Sequence, residues 1–167
     1  MAAPKLTKLK KHQTIPFINT AAAEGPESWA RIGKSTIFAL ALNPNVVTND
    51  YIEDEMPTDE ITYYKPSLPQ ELQTIKGDPA FDFMYDMMFN LPTGEDVKKD
   101  VLLVFAGAIS ESSPPKFNAW KCKASIQLTE FNTVDEKITF TISIISIERG
   151  TVTIAEGVPT FAAAEKS

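Results

Sequence analysis

The feature that most limits what this chain can become is a pair of long alternations in its C-terminal half. Across residues 117–131, Trp120, Cys122, Ala124, Ile126 and Leu128 take every second position, with Lys121, Lys123, Ser125, Gln127 and Thr129 between them. Across residues 137–147, Ile138, Phe140, Ile142 and Ile144 alternate with Thr139, Thr141 and Ser143. A period of two sends successive side chains to opposite faces of a strand, whereas a helix would scatter the same apolar residues around its circumference. Both runs therefore read as strands with one apolar face and one face of small polar residues, and 132–136 is the turn that makes them antiparallel neighbours. Glu148, Arg149 and Gly150 read as the next turn, after which 151–155 pairs back with Val152 and Ile154 inward. Residues 158–164 form a last edge strand or a C-terminal arm.

Upstream, residues 34–43 alternate as well: Thr36, Phe38, Leu40 and Leu42 against Ser35, Ile37, Ala39 and Ala41, with Pro44 ending the strand. A long inter-strand loop follows at about 45–68. It carries Asp50, Glu53, Asp54, Glu55, Asp59 and Glu60, interleaved with Tyr51, Ile52, Met56, Ile61, Tyr63 and Tyr64. A loop of that length inside a compact domain is functional or disordered. This one is too apolar for a solvated tip, and it reads as a protruding, partly β, hairpin-like arm that returns through a second strand at 69–76.

Gly77, Asp78 and Pro79 open the single helix, about 78–90, with Asp78 as cap and Pro79 where no N–H is needed. Asp82, Asp86 and Asn90 make one narrow polar stripe, and Phe81, Phe83, Met84, Tyr85, Met87, Met88 and Phe89 leave the rest apolar. A helix resting on a sheet needs only an apolar stripe. This one either lies inside the core or packs on its own sheet and on another subunit. Residues 100–106 then read as a strand buried on both faces. The expected fold is mainly β: an antiparallel β-sandwich or barrel with one flanking α-helix, a long inter-strand loop and terminal arms. The expected organisation is an N-terminal arm, 1–30, and one domain, 31–167, ending in a C-terminal piece at about 158–167. No internal repeat of fixed period is present.

The charge is unevenly placed. The chain of 167 residues carries −6 in total; residues 1–23 hold Lys5, Lys8, Lys10 and Lys11 and no acid, which leaves −10 for the remainder. An acidic body lacks the basic stripe with which nucleic-acid binders neutralise phosphates. A hydrophobic content of 43% supports a real core. One cysteine permits no disulfide within the chain. The N-terminus has charge with no apolar run behind it, so it does not read as a signal peptide. The apolar stretch 37–42 is too short for a bilayer, and no membrane partner is expected.

Catalytic chemistry is not expected. Gly33, Lys34, Ser35 and Thr36 end like a phosphate-binding loop, but position 28 is Ser where that motif needs Gly, and a strand follows where it needs a helix. The acidic loop, read from Asp50, places Ile52 and Glu55 where a calcium loop needs an oxygen ligand and a glycine. His12 is the only histidine and stands in the basic arm, away from partners for a metal or a nucleophile. Cys122 alternates with Trp120 and Ala124 and reads as a core residue. Asp82 and Asp86 read as a solvated stripe. No cofactor and no metal are implied.

In order, KSTIFALALNP, the acidic loop, YYKPSLPQELQTIKGD, the helix PAFDFMYDMMFNL, then LPTGEDVKKDVLLVFAG, AWKCKASIQLTEF and EKITFTISIISIERGTVTIA resemble the major tail tube proteins of long-tailed bacteriophages (siphophages). That family shares its fold with the inner tubes of contractile tails and of type VI secretion. The resemblance spans roughly residues 30–160, is most characteristic at 64–82, and rests on order and pattern. It implies a structural virion protein, assembled in the host cytoplasm as hexameric rings stacked into a tail tube, the conduit for DNA ejection.

Its partners would be copies of itself and the tape measure, tail terminator and baseplate proteins, with DNA passing unbound. The strands 34–43, 69–76, 117–131 and 137–147 would line the channel, presenting Ser125, Gln127, Thr139, Thr141 and Ser143. The loop would reach the adjacent ring through Tyr51, Ile52, Asp54, Glu55, Met56, Tyr63 and Tyr64. Its expected receptor is the basic arm, Lys5 to Lys11, followed by Ile15 and Phe17. Phe81, Phe83, Met84, Met87 and Met88 would pack at a subunit boundary. The alternatives are an inner-tube subunit of a contractile tail or injection particle and, from a different class, a monomeric β-sandwich binding module.

Overall fold

The computed structural model describes residues 14–21, 26–37, 39–110 and 116–164, with side chains described to Phe105 in the strand that ends at Ser110. Nine strands and one α-helix follow one another among these residues. They are β1 (Ile15–Asn19), β2 (Trp29–Arg31), β3 (Pro44–Asn49), β4 (Thr58–Tyr64), β5 (Ser67–Gln73), α1 (Pro79–Asn90), β6 (Lys98–Ser110), β7 (Lys116–Asn132), β8 (Lys137–Ala155) and β9 (Val158–Ala163). Seven strands form one antiparallel sheet in the order β2-β1-β6-β7-β8-β5, with β9 also on β8, while β3 and β4 pair only with each other. The large sheet curls into a nearly closed barrel with the single helix, so the expected mainly-β class holds.

The alternations in β7 and β8 behave as a period of two requires. Cys122, Ala124, Ile126, Ile138, Phe140, Ile142 and Ile144 are buried together with Leu68, Leu72, Val101, Leu103 and the inner side of α1. Val101 to Val104 are all buried, as expected for a strand covered on both faces. The turn between β7 and β8 is held by Asn132, whose Oδ1 accepts from the N–H groups of Val134 (3.0 Å) and Asp135 (2.9 Å). That is the local bond that makes Asn a turn residue.

Four expectations are corrected. The turn at 148–150 does not exist: β8 runs unbroken from Lys137 to Ala155, and the reversal comes at Glu156 and Gly157, both at positive φ (51° and 79°). Two residues of that conformation make the tight turn favoured in hairpins. Gly150 is required by close packing instead. A Cβ there would collide with the carbonyl oxygen of Ala162 and lie 2.7 Å from the Phe161 ring.

A bulge at Ile145 moves β8 one residue out of phase, since Lys123 pairs with Ser146 but Ala124 pairs with Ile144. A one-residue shift exchanges the faces of a strand. Val152 and Ile154 therefore join a second cluster on the opposite face, with Phe17, Leu102, Val104 and Ala119.

Among the described residues the strand expected at 34–43 is reduced to two bridges on the edge of β5, Ser35 to Leu72 and Ala41 to Ser67. Ser67, Glu71 and Gln73 all direct backbone groups to this segment. By alternation Pro69 directs its nitrogen there too, and proline has no hydrogen to donate. Pro44 starts β3 rather than ending a strand, and the returning strand runs Ser67–Gln73 rather than 69–76.

The arm boundary at residue 30 also moves. β1 pairs with β6 and β2 with β1, and Phe17 and Ile18 are buried, so these two strands belong to the body. Lys5 to Lys11 and His12 lie outside the described residues.

Candidate assembly interface

The acidic-aromatic segment folds into the expected hairpin arm. β3 and β4 pair from Pro44 with Tyr64 to Asn49 with Thr58, and every side chain of β4 is exposed. Polar side chains tie the two strands. Thr48 Oγ1 donates to Asp59 (2.7 Å), Asn45 Nδ2 to Thr62 Oγ1 (2.7 Å) and Asn49 Nδ2 to Glu60 (3.4 Å). At the root Asn43 sits at φ 46°, a left-handed conformation that Asn tolerates. Its Nδ2 donates to the carbonyl of Lys65 and to Ser67 Oγ, both at 3.1 Å.

Beyond that anchor the surface is apolar and acidic together. Tyr51, Ile52, Met56, Tyr63 and Tyr64 are exposed, Ile52 completely, as are Val46, Val47 and Ile61. Asp54 and Glu55 are exposed beside them, so all seven residues expected on this loop stand on one projection. Val46 and Val47 are not legible as exposed apolar residues in the sequence, because they stand in a stretch that reads as a loop rather than a strand.

The helix divides differently from the expectation. Phe81, Met84 and Met87 are buried against the chain's own sheet, and Phe83 and Met88 pack on the same core. A buried side chain cannot also cover a neighbour. The apolar surface left over on α1 and its cap is Tyr85, Phe89 and Leu91, and the Tyr85 ring meets that of Phe131 at the end of β7, 6.1 Å away edge to face. Residues 85 and 89 are one helical turn apart, a spacing that could have found them. Asp78 holds the cap position without a side-chain cap bond. The first turn is tied instead by Asp82 Oδ1, which accepts from the Gly77 N–H at 3.3 Å.

Ser125, Gln127, Thr139, Thr141 and Ser143 come together on the face opposite the main core. Ser125 pairs with Ser143 and Gln127 with Thr141 across β7 and β8, and Ser67, Pro69 and Glu71 of β5 continue the same rows. Lys137 meets Glu71 on this face at 3.4 Å. Lys121, further along β7, is held at 2.6 Å by Glu27, and that bond raises its pKa above the ordinary lysine value. Glu95 is lowered by its bond to Lys98. Burial pushes the Cys122 thiol up to about 12, as for a core cysteine.

Other readings are placed as follows. Gly33 to Thr36 lead onto the β5 edge and not into a helix, so no phosphate cradle forms. Among the described residues no group of three or more His, Cys, Asp or Glu side chains is placed to hold a metal ion. Nor is any helix among them long and apolar enough to cross a membrane.

No protein-family model matches the chain, and no curated protein matches it. Among solved structures it is similar to a chain in the six-fold symmetrised cryo-EM structure of the anti-feeding prophage baseplate. The match has 12% identity and a TM-score of 0.44, and covers 92% of this chain and 98% of that one.

Proposed function

We propose that this chain is a non-catalytic structural subunit that assembles with copies of itself as stacked hexameric rings, forming the tail tube of a long-tailed bacteriophage through which DNA passes. One observation carries the reading: a hairpin that projects from the barrel with Ile52, Met56 and three tyrosines exposed. Monomeric proteins rarely leave contiguous apolar surface uncovered, and tyrosine is enriched where surfaces meet. The hairpin serves as the ring-to-ring connector, and Tyr85, Phe89 and Leu91 cover a second contact within the ring. The Ser and Thr rows of β5, β7 and β8 line the channel. On that wall Lys121 is held by Glu27 and Lys137 by Glu71, while the exposed Lys123 on the same face of β7 has no carboxylate within salt-bridge distance among the described residues and counts against a non-stick wall.

The test is electron microscopy of concentrated protein beside a variant lacking residues 52–62. The wild-type chain forms tubes, and the deletion variant stays folded and does not elongate. Tubes of normal length from the deletion variant would refute the connector role; a wild-type chain that stays monomeric would refute self-assembly.

A further inference from the structure

The chemistry of the hairpin tip implies a receptor, and the barrel contains a cleft that complements it. Between the β1–β2 edge and β5 lies an opening of about 560 Å3, walled by Ile15, Pro16, Ile32 and Ile37. Arg31 stands at its mouth with its side chain packed over Gly33, and Lys34 follows, both exposed. Among the described residues neither cation has a carboxylate within salt-bridge distance. The acid at this rim, Glu71, is engaged by Lys137 at 3.4 Å and by Thr36 Oγ1 at 3.4 Å. At the cleft Gln70 is fully buried; its Nε2 donates to the Pro69 carbonyl at 2.8 Å, and its Oε1 has no partner among the described residues. A buried acceptor without a donor is costly, so a site that leaves one open favours an occupant that brings an N–H group.

We propose that this cleft receives the hairpin tip of a second copy of this chain; the inference rests on the self-assembly reading above and names the surface it uses. The tip brings Asp50, Glu53, Asp54 and Glu55, and residues 44–64 contain no base to offset them. Opposite charge guides the approach to Arg31 and Lys34, and desolvated apolar side chains then hold it. Ile52, fully exposed at the tip, enters between Ile15 and Ile37, and a backbone N–H beside it satisfies Gln70 Oε1. The aromatic patch around Phe89 is a poorer receptor, because the exposed Asp86 lies one helical turn before Phe89 and would repel the acidic tip.

Three variants of the full chain test this. Arg31→Glu with Lys34→Glu lowers the extent of assembly at least tenfold in pelleting and microscopy. Adding Glu53→Lys and Asp54→Lys to the same chain restores it, because each copy then carries both reversed partners. Ile52→Cys with Thr36→Cys gives a ladder of disulfide-linked copies under oxidation, while buried Cys122 stays silent. Wild-type assembly by the double glutamate variant, or cross-links within single chains only, overturns the cleft as receptor. If deletion of 52–62 still abolishes elongation in that case, the connector reading stands and the tip docks elsewhere; if that deletion also has no effect, both fall.

Discussion

Two neighbouring residues of α1, each changed to aspartate, separate what holds the subunit together from what it offers to others. Met87 is 6% exposed and packed in the main core. Met87→Asp removes about 1.5–3 kcal/mol of apolar burial, and the buried carboxylate costs several kcal/mol more unless it is neutralised. A loss of at least about 4 kcal/mol is a large part of the about 5–15 kcal/mol that holds a domain folded. Phe89 is 75% exposed. Phe89→Asp costs no more than about 0.5 kcal/mol as a surface change, plus about 0.3–1 kcal/mol for an acid near a helix C-terminus.

Urea unfolding followed by circular dichroism reads the difference, in dilute protein so that assembly does not add to stability by mass action. With a slope of about 2 kcal/mol per molar urea, the Met87 variant loses about 2 M of midpoint or does not fold, and the Phe89 variant loses under about 1 M. At high concentration Phe89→Asp remains a folded subunit that assembles poorly. A Met87→Asp chain with a wild-type midpoint would show that the inner face of α1 is not a core, and the partition of the helix would be wrong.

Gly150→Ala lowers stability by about 1–3 kcal/mol or displaces β9, because the new methyl meets the Ala162 carbonyl and the Phe161 ring; an unchanged melting temperature refutes the close approach. Glu27→Gln costs under about 1 kcal/mol at neutral pH, since the pair is partly exposed. The Lys121 pKa is raised on folding, so the pair's contribution is complete below the ordinary lysine value of 10.5 and fades as pH rises through the folded value. The variant should lack that alkaline component in a pH series of unfolding curves. Cys122, whose thiol is pushed up to about 12 by burial, should react with a thiol reagent at pH 8 only as fast as the protein unfolds; prompt labelling of folded protein would place it at a surface.

How far the sequence shows the fold depends on whether one period or several contacts decide a segment. Residues 117–131 and 137–144 declare their faces because alternation alone sorts Ile126 from Gln127 and Phe140 from Thr141. The exposed hairpin is legible from tyrosines set among acids with no base. What escapes is decided by partners distant in the chain. Pro69 offers no N–H to a segment about thirty positions away, and nothing within 34–43 records it. The bulge at Ile145 exchanges the faces of β8 without changing its composition. Gly150 looks like a turn residue until Phe161 is placed over it. Helix α1 is apolar on nearly every side, so its sequence does not tell Met87, in the core, from Phe89, outside it.

The hairpin raises an energetic question that bears on assembly. Two strands without a third strand or a supporting core are marginal in water, and β4 is exposed along its whole length. Three cross-strand polar pairs and the Asn43 anchor tie it. At about 1 kcal/mol or less for each exposed hydrogen bond, they offset only part of the backbone entropy of ordering some twenty residues, which is about 1–2 kcal/mol per residue. Folding stability alone does not account for Ile52, Met56, Ile61 and the three tyrosines at these positions, because in an isolated subunit they remain in water. On the proposed assembly, burial against a second molecule would supply the missing term at about 25 cal/mol per Å2 of apolar surface covered. On the proposed function, a hairpin that gains order only when covered would tie elongation to docking, with a loosely held arm on the free subunit and a rigid strut on the docked one. Amide hydrogen exchange resolves the two states, with fast exchange across β3 and β4 in the free subunit and protection there alone on assembly, while β7 and β8 are protected in both.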